Sequence, residues 1–139
     1  MCRWLAYSGS PVLLDELLYK PTNSLIVQSL HSRLGVETTN GDGFGVGWFG
    51  EEKNPAVYRS IEPAWNERNL RELADHVRSH LVFAHIRAST GTPVQQTNCH
   101  PFRFDNWLWM HNGAISEFEK TAPTMFSAAR MKLFSAKRA

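Results

Sequence analysis

Apolar and polar positions along the chain change period several times, and each change predicts an element. Residues 2–8, largely apolar and aromatic, read as a short strand ending at the Gly9-Ser10-Pro11 turn. Leu13, Leu14, Leu17 and Leu18 then recur at helical spacing, and Pro21 ends that segment. Residues 24–32 fit either a second short helix or an irregular stretch. Between residues 40 and 49, Gly43, Gly45 and Gly47 alternate with Phe44, Val46 and Trp48. At a strand period of two, one face is bare and the other bulky, so another backbone or a ligand can approach the bare face closely.

Residues 56–60 read as the partner strand of a hairpin. Across 66–79, Leu70, Leu73, Ala74 and Val77 form one stripe while the charges lie largely elsewhere, which predicts an amphipathic helix on a sheet. Two further strands are predicted at 81–88 and 107–111. In the first, Phe83, His85 and Arg87 share one face, and Val82, Ala84 and Ile86 share the other. Strands at the start, centre and end with helices between them predict an α+β layered domain rather than repeated βαβ units.

Composition bounds the partners. The chain has 139 residues, 42% of them hydrophobic and 20% charged, as suits one globular domain with a real core. A formal charge of +2 gives no argument for nucleic acid or a membrane surface, and no apolar run reaches the length of a membrane span. The first residues lack the apolar stretch of a secretory signal, and two cysteines make no disulfide framework. A cytoplasmic protein with reduced thiols is the expectation.

Three places carry chemistry. Cys2 directly follows the initiator methionine, whose removal would leave a thiol and a free α-amine on one residue, nucleophile and base together. Arg87 stands at a strand end before Ser89, Thr90 and a glycine turn; its planar fork can grip both oxygens of an α-carboxylate, although a surface ion-pair arginine has the same signature. Asn112-Gly113 follows a strand, where a side-chain amide and a backbone N–H could stabilise an oxyanion, or could simply form a turn. His80, His85, Cys99, His100 and His111 are potential metal ligands, but none falls in a zinc spacing. Two of these histidines sit within a strand and are expected to be packed and hydrogen bonded, so no metal and no cofactor is expected. A phosphate-binding loop at Gly43–Gly47 is disfavoured because no P-loop lysine follows.

Taken together, the blocks at residues 1–3, 40–48, 84–89, 98–102 and 111–115, in this order, resemble the class II glutamine amidotransferases. The likeness covers roughly the first 120 residues. It is greatest to the stand-alone branch that includes γ-glutamyl amidohydrolases of ergothioneine synthesis and glutathione breakdown. The resemblance implies an N-terminal-nucleophile (Ntn) hydrolase αββα sandwich, here incomplete at its C-terminal end. It also implies cleavage of glutamine or a γ-glutamyl amide, a small-molecule substrate, through a thioester on Cys2. On matching positions, Asn112 and Gly113 become the oxyanion hole, Arg87 the α-carboxylate ligand and Thr90 its assistant. His100 shapes the pocket loop and Cys99 is structural.

The likeness ends after Lys120. The family there supplies an acidic residue for the substrate α-amine, whereas residues 121–139 contain no aspartate or glutamate and four basic residues. That tail reads as atypical, frameshifted or disordered. Missing strands would expose sheet edges and apolar surface, so weak or absent turnover and aggregation are expected. A non-catalytic γ-glutamyl-binding or regulatory module that keeps the fold stays open as the alternative, as does an oligomer or partner subunit.

Overall fold

The computed structural model describes residues 2–30, 39–89, 93–113, 117, 120 and 134–137. It is a mixed α/β arrangement with two antiparallel sheets. Among the described residues the strands and α-helices are, in chain order, β1 (Arg3–Leu13), α1 (Leu14–Leu18), α2 (Leu25–Leu30), β2 (Phe44–Trp48), β3 (Ala56–Ser60), α3 (Arg68–His76), β4 (Arg78–Ile86), β5 (Phe102–Phe104), β6 (Trp107–Met110) and β7 (Phe134–Lys137), with 3-10 turns at Ala64–Asn66 and Gln96–Asn98. The first sheet has the order β1-β4-β2-β3 and the second β5-β6-β7.

The two faces of the first sheet serve different layers. Phe44, Val46, Val82, Ala84 and Ile86 point to the helices, where Leu14, Leu18, Leu25, Ile26, Leu70 and Ala74 close a buried apolar cluster over them. On the opposite face Phe83 and Phe49 meet Leu108 and Met110 of the second sheet. The alternation expected for β4 is therefore present, one face per layer.

Gly45 and Gly47 explain how the second layer comes so close. A Cβ on Gly45 would run into the His100 carbonyl oxygen, and one on Gly47 would lie 2.7 Å from Pro101 Cγ and 2.9 Å from a Leu108 methyl. The bare face of β2 is thus filled by backbone and side chains of the His100–Leu108 region, as its period predicts.

Element ends differ from expectation for local reasons. β1 does not stop at Gly9-Ser10-Pro11 but continues to Leu13, with a shift of register between Ser8 and Val12. A bulge absorbs the turn residues, Tyr7 Oη donates to the Ser10 carbonyl at 2.7 Å, and Pro11 is tolerated because β1 is an edge strand of its sheet. Leu13 accordingly belongs to the strand and not to the helix. α3 is shorter than its stripe: Glu67 caps it by accepting from the Asn69 N–H at 3.1 Å, and Ser79 is drawn into β4, where its hydroxyl donates to the Phe49 carbonyl at 2.8 Å. β5 had no counterpart in the sequence reading. Its signal was the Phe102-Arg103-Phe104 alternation before Asp105-Asn106, with Asp105 at φ 50° turning the chain into β6.

Candidate active site

Cys2 immediately precedes β1, and the pairing of Arg3 with Ile86 brings it alongside the end of β4. The Ala88 N–H donates to Cys2 Sγ at 3.3 Å, and the thiol lies 3.5 Å from the Ala88 carbonyl oxygen. Cys2 is half-buried and forms no disulfide. Arg3 holds the same backbone by donating from Nη1 to the Cys2 carbonyl at 3.2 Å.

Arg87 is buried, 5% exposed, which excludes the surface ion-pair reading. Its guanidinium donates to the Asp42 carbonyl at 3.4 Å, to Ser89 Oγ at 3.1 Å and to the Pro93 carbonyl at 3.0 Å. The fork is thereby fixed at the end of the strand, one residue from the amide that meets Cys2. Thr90 lies outside the described residues.

Asn112 and Gly113 follow β6 and are exposed. Gly113 has φ +131°, a backbone shape that side chains disfavour, with open space around it. Among the described residues no hydrogen bond joins this pair to Cys2. Their link to the rest of the site is His111, whose ring meets His100 edge-on at 4.5 Å.

His100 in turn packs on His85 at 4.6 Å and on Phe102 at 4.4 Å. Both His85 and His100 are buried, and among the described residues none of their four ring nitrogens has a hydrogen-bond partner. His85 is therefore packed as expected but not hydrogen bonded. Burial first, then the neighbouring His111 and Arg87, pushes the His85 pKa down to about 4. Burial, then His85, His111, Arg87 and Arg59, pushes His100 down to about 3. Both rings are neutral at pH 7. Among the described residues no three His, Cys, Asp or Glu side chains form a metal-holding group.

Cys99 is buried, its thiol pushed up by that burial, and it donates to the Ser60 carbonyl at 3.4 Å. It fills the space beside Gly43, where a Cβ would lie 2.8 Å from its sulfur. One residue escaped the sequence reading. Asp42 Oδ2 accepts the Ser89 N–H at 2.6 Å, and its backbone N–H donates to the Arg87 carbonyl at 3.3 Å. Asp42 stands among Asn40, Gly41 and Gly43, residue types common in turns, and that local signal hides a long-range bond.

Residues 16–129 match the family model described as glutamine amidotransferases class-II; Cys2 stands ahead of that range. The chain is 45% identical over 128 residues to the probable glutamine amidotransferase DUG3 of Saccharomyces cerevisiae, covering 86% of this chain and 36% of the relative. It is 35% identical over 117 residues to the γ-glutamyl-hercynylcysteine sulfoxide hydrolase of Mycolicibacterium smegmatis, covering 83% of this chain and 52% of that protein. A solved glutamine aminotransferase class-II domain protein from Silicibacter pomeroyi superimposes with TM-score 0.59 at 31% identity, over 94% of this chain and 44% of that one. The chain thus spans about half or less of the length of these relatives.

Proposed function

The chain belongs to the class II glutamine amidotransferases, and from that premise we propose that it cleaves the side-chain amide of glutamine or of a γ-glutamyl compound through a thioester on Cys2. The two facing sheets are read as the core of an Ntn-hydrolase sandwich. The observation that carries the proposal is the Ala88 N–H bond to Cys2 Sγ, one residue from the buried Arg87 fork.

The chemistry follows from the groups. The α-amine of a processed Cys2 takes the thiol proton, and the thiolate sulfur attacks the amide carbon. Negative charge develops on the carbonyl oxygen, for which the Asn112 amide and the Gly113 N–H are the donors. The C–N bond breaks, and the departing amine or ammonia takes the proton from the Cys2 ammonium. Water then attacks the thioester, releasing the γ-carboxylate and restoring the thiol. Arg87, with Thr90 assisting, binds the substrate α-carboxylate. This chemistry needs a reduced Cys2, which fits a cytoplasmic setting.

Residues 121–139 contain no aspartate or glutamate for the substrate α-amine. Asn112 and Gly113 are exposed and unbonded to Cys2, which favours, as a second reading, a module that binds γ-glutamyl compounds without cleaving them. The two separate in one experiment. Met1 removal is confirmed by mass, and ammonia or amine release is followed with L-glutamine and a γ-glutamyl peptide. Turnover that falls at least about 100-fold in Cys2→Ala, with unchanged Tm, is the expected result. Turnover indifferent to Cys2→Ala sinks the proposal, and saturable binding with no release in either protein supports the second reading.

A further inference from the structure

We propose that Asp42 is a positioning residue that holds the 87–89 segment in register for both Cys2 and the substrate carboxylate. The inference rests on the amidotransferase reading and deepens it.

β4 ends at Ile86, and the next three residues run on beyond the strand, where Asp42 and Gly43 take over from its ladder. Those three residues bear on the two jobs assigned to this end of the fold. Arg87 presents the guanidinium, Ala88 presents the N–H that meets Cys2 Sγ, and Ser89 gives its hydroxyl to Arg87. An error of an ångström here would misplace nucleophile and clamp together.

Asp42 ties the segment down three times. Its carboxylate accepts the Ser89 N–H at 2.6 Å, its N–H donates to the Arg87 carbonyl at 3.3 Å, and its carbonyl accepts from Arg87 Nη1 at 3.4 Å. The first is a charge-assisted bond to a backbone amide, shorter and stronger than a neutral one. Asp42 is itself anchored. Gly43, next in the chain, has φ +101°, and its carbonyl accepts the Arg87 N–H at 2.8 Å. A Cβ on Gly43 would lie 2.7 Å from the Ser60 carbonyl oxygen and 2.8 Å from Cys99 Sγ, so the backbone beside Asp42 is packed tightly against β3 and Cys99. The carboxylate is therefore a post fixed to β2 against which the 87–89 segment is set.

The test compares two reagents on Cys2 in the full 139-residue chain. 6-Diazo-5-oxo-L-norleucine carries glutamine's α-carboxylate; the thiolate forms a C–S bond to its protonated diazo carbon as N2 leaves. Iodoacetamide has no carboxylate; the same thiolate displaces iodide. For Asp42→Ala the diazo rate should fall about tenfold or more while the iodoacetamide rate stays within about twofold. Asp42→Asn, which keeps an oxygen acceptor, should restore the diazo rate to within about threefold of wild type. Asp42 is not a core residue, so the alanine variant is expected to fold, with Tm as the check. An unchanged rate ratio in Asp42→Ala, or equal slowing by both reagents, overturns the proposal. So does Asp42→Asn falling as far as Asp42→Ala, which would remove the hydrogen bond as the cause. A wild-type chain that reacts no faster with the diazo reagent overturns the amidotransferase reading itself, and the proposal with it.

Discussion

A methyl group at Gly45 would meet the His100 carbonyl oxygen, a backbone atom that cannot swing aside as a side chain can. Gly45→Ala must therefore push β2 away from the second layer, which should cost at least roughly 1–3 kcal/mol and can prevent folding. Gly50 is the matched control, because a Cβ there meets nothing within 4 Å. Gly50→Ala should stay within about 0.5 kcal/mol of wild type. Urea unfolding of both variants checks this, and equal losses would refute the close-approach account. The alternation of glycine with Phe44, Val46 and Trp48 announced a bare face from the sequence. It could not say that backbone, rather than ligand, fills the face at Gly45.

At the scale of elements, α1 and α3 are tied by one buried carboxylate. Asp15 is 4% exposed and takes Lys20 Nζ at 3.1 Å and Arg71 Nη1 at 3.3 Å, while Arg71 also lies over the Tyr19 ring at 4.5 Å. Both cations are more than half exposed, so each can be lost cheaply while the other remains. Losing both leaves a buried charge unpaired. Lys20→Ala with Arg71→Ala should therefore cost roughly 2–3 kcal/mol, more than the two single losses added. Asp75→Ala removes only an exposed i,i+4 contact to Arg71 at 3.8 Å and should cost less than about 0.5 kcal/mol. Additive urea midpoints for the double variant would show that Asp15 needs no partner. None of this was legible in advance, because the stripe of Leu70, Leu73, Ala74 and Val77 marks the buried face of α3 but not the partner of each charge. The same limit explains β1. Its first part was legible as a short strand, but its continuation through Gly9-Ser10-Pro11 depends on pairing with β4, a contact some seventy residues away in sequence.

For the whole molecule, the layer between the two sheets is apolar at Phe49, Phe83, Leu108 and Met110 but carries His85 and His100 beside it. The sequence offered these rings as potential ligands; only the packing shows them stacked and unbonded, with His111 leading into Asn112-Gly113. Their folded pKa values, about 4 and about 3, lie below the ordinary histidine value of 6.5. The sign follows directly. Above about pH 6.5 both states are neutral and nothing is lost. As the pH falls below it, the unfolded chain binds protons that the folded chain refuses, so stability drops until about pH 4 for His85 and about pH 3 for His100. One pKa unit is worth about 1.4 kcal/mol, so the pair can remove on the order of 3 kcal/mol or more, a large part of an ordinary margin. His100→Phe replaces an unbonded polar ring with an apolar one and should change stability at pH 7 by less than about 1.5 kcal/mol. Its difference from wild type should then grow in its favour as pH falls from 6.5 to 4. Urea unfolding across that range reads the difference, with carboxylate effects common to both proteins cancelling. A constant difference would mean that His100 is either protonated in the folded state or not buried. A growing one would place acid lability between the sheets, on the ring stack that leads to Asn112 and Gly113.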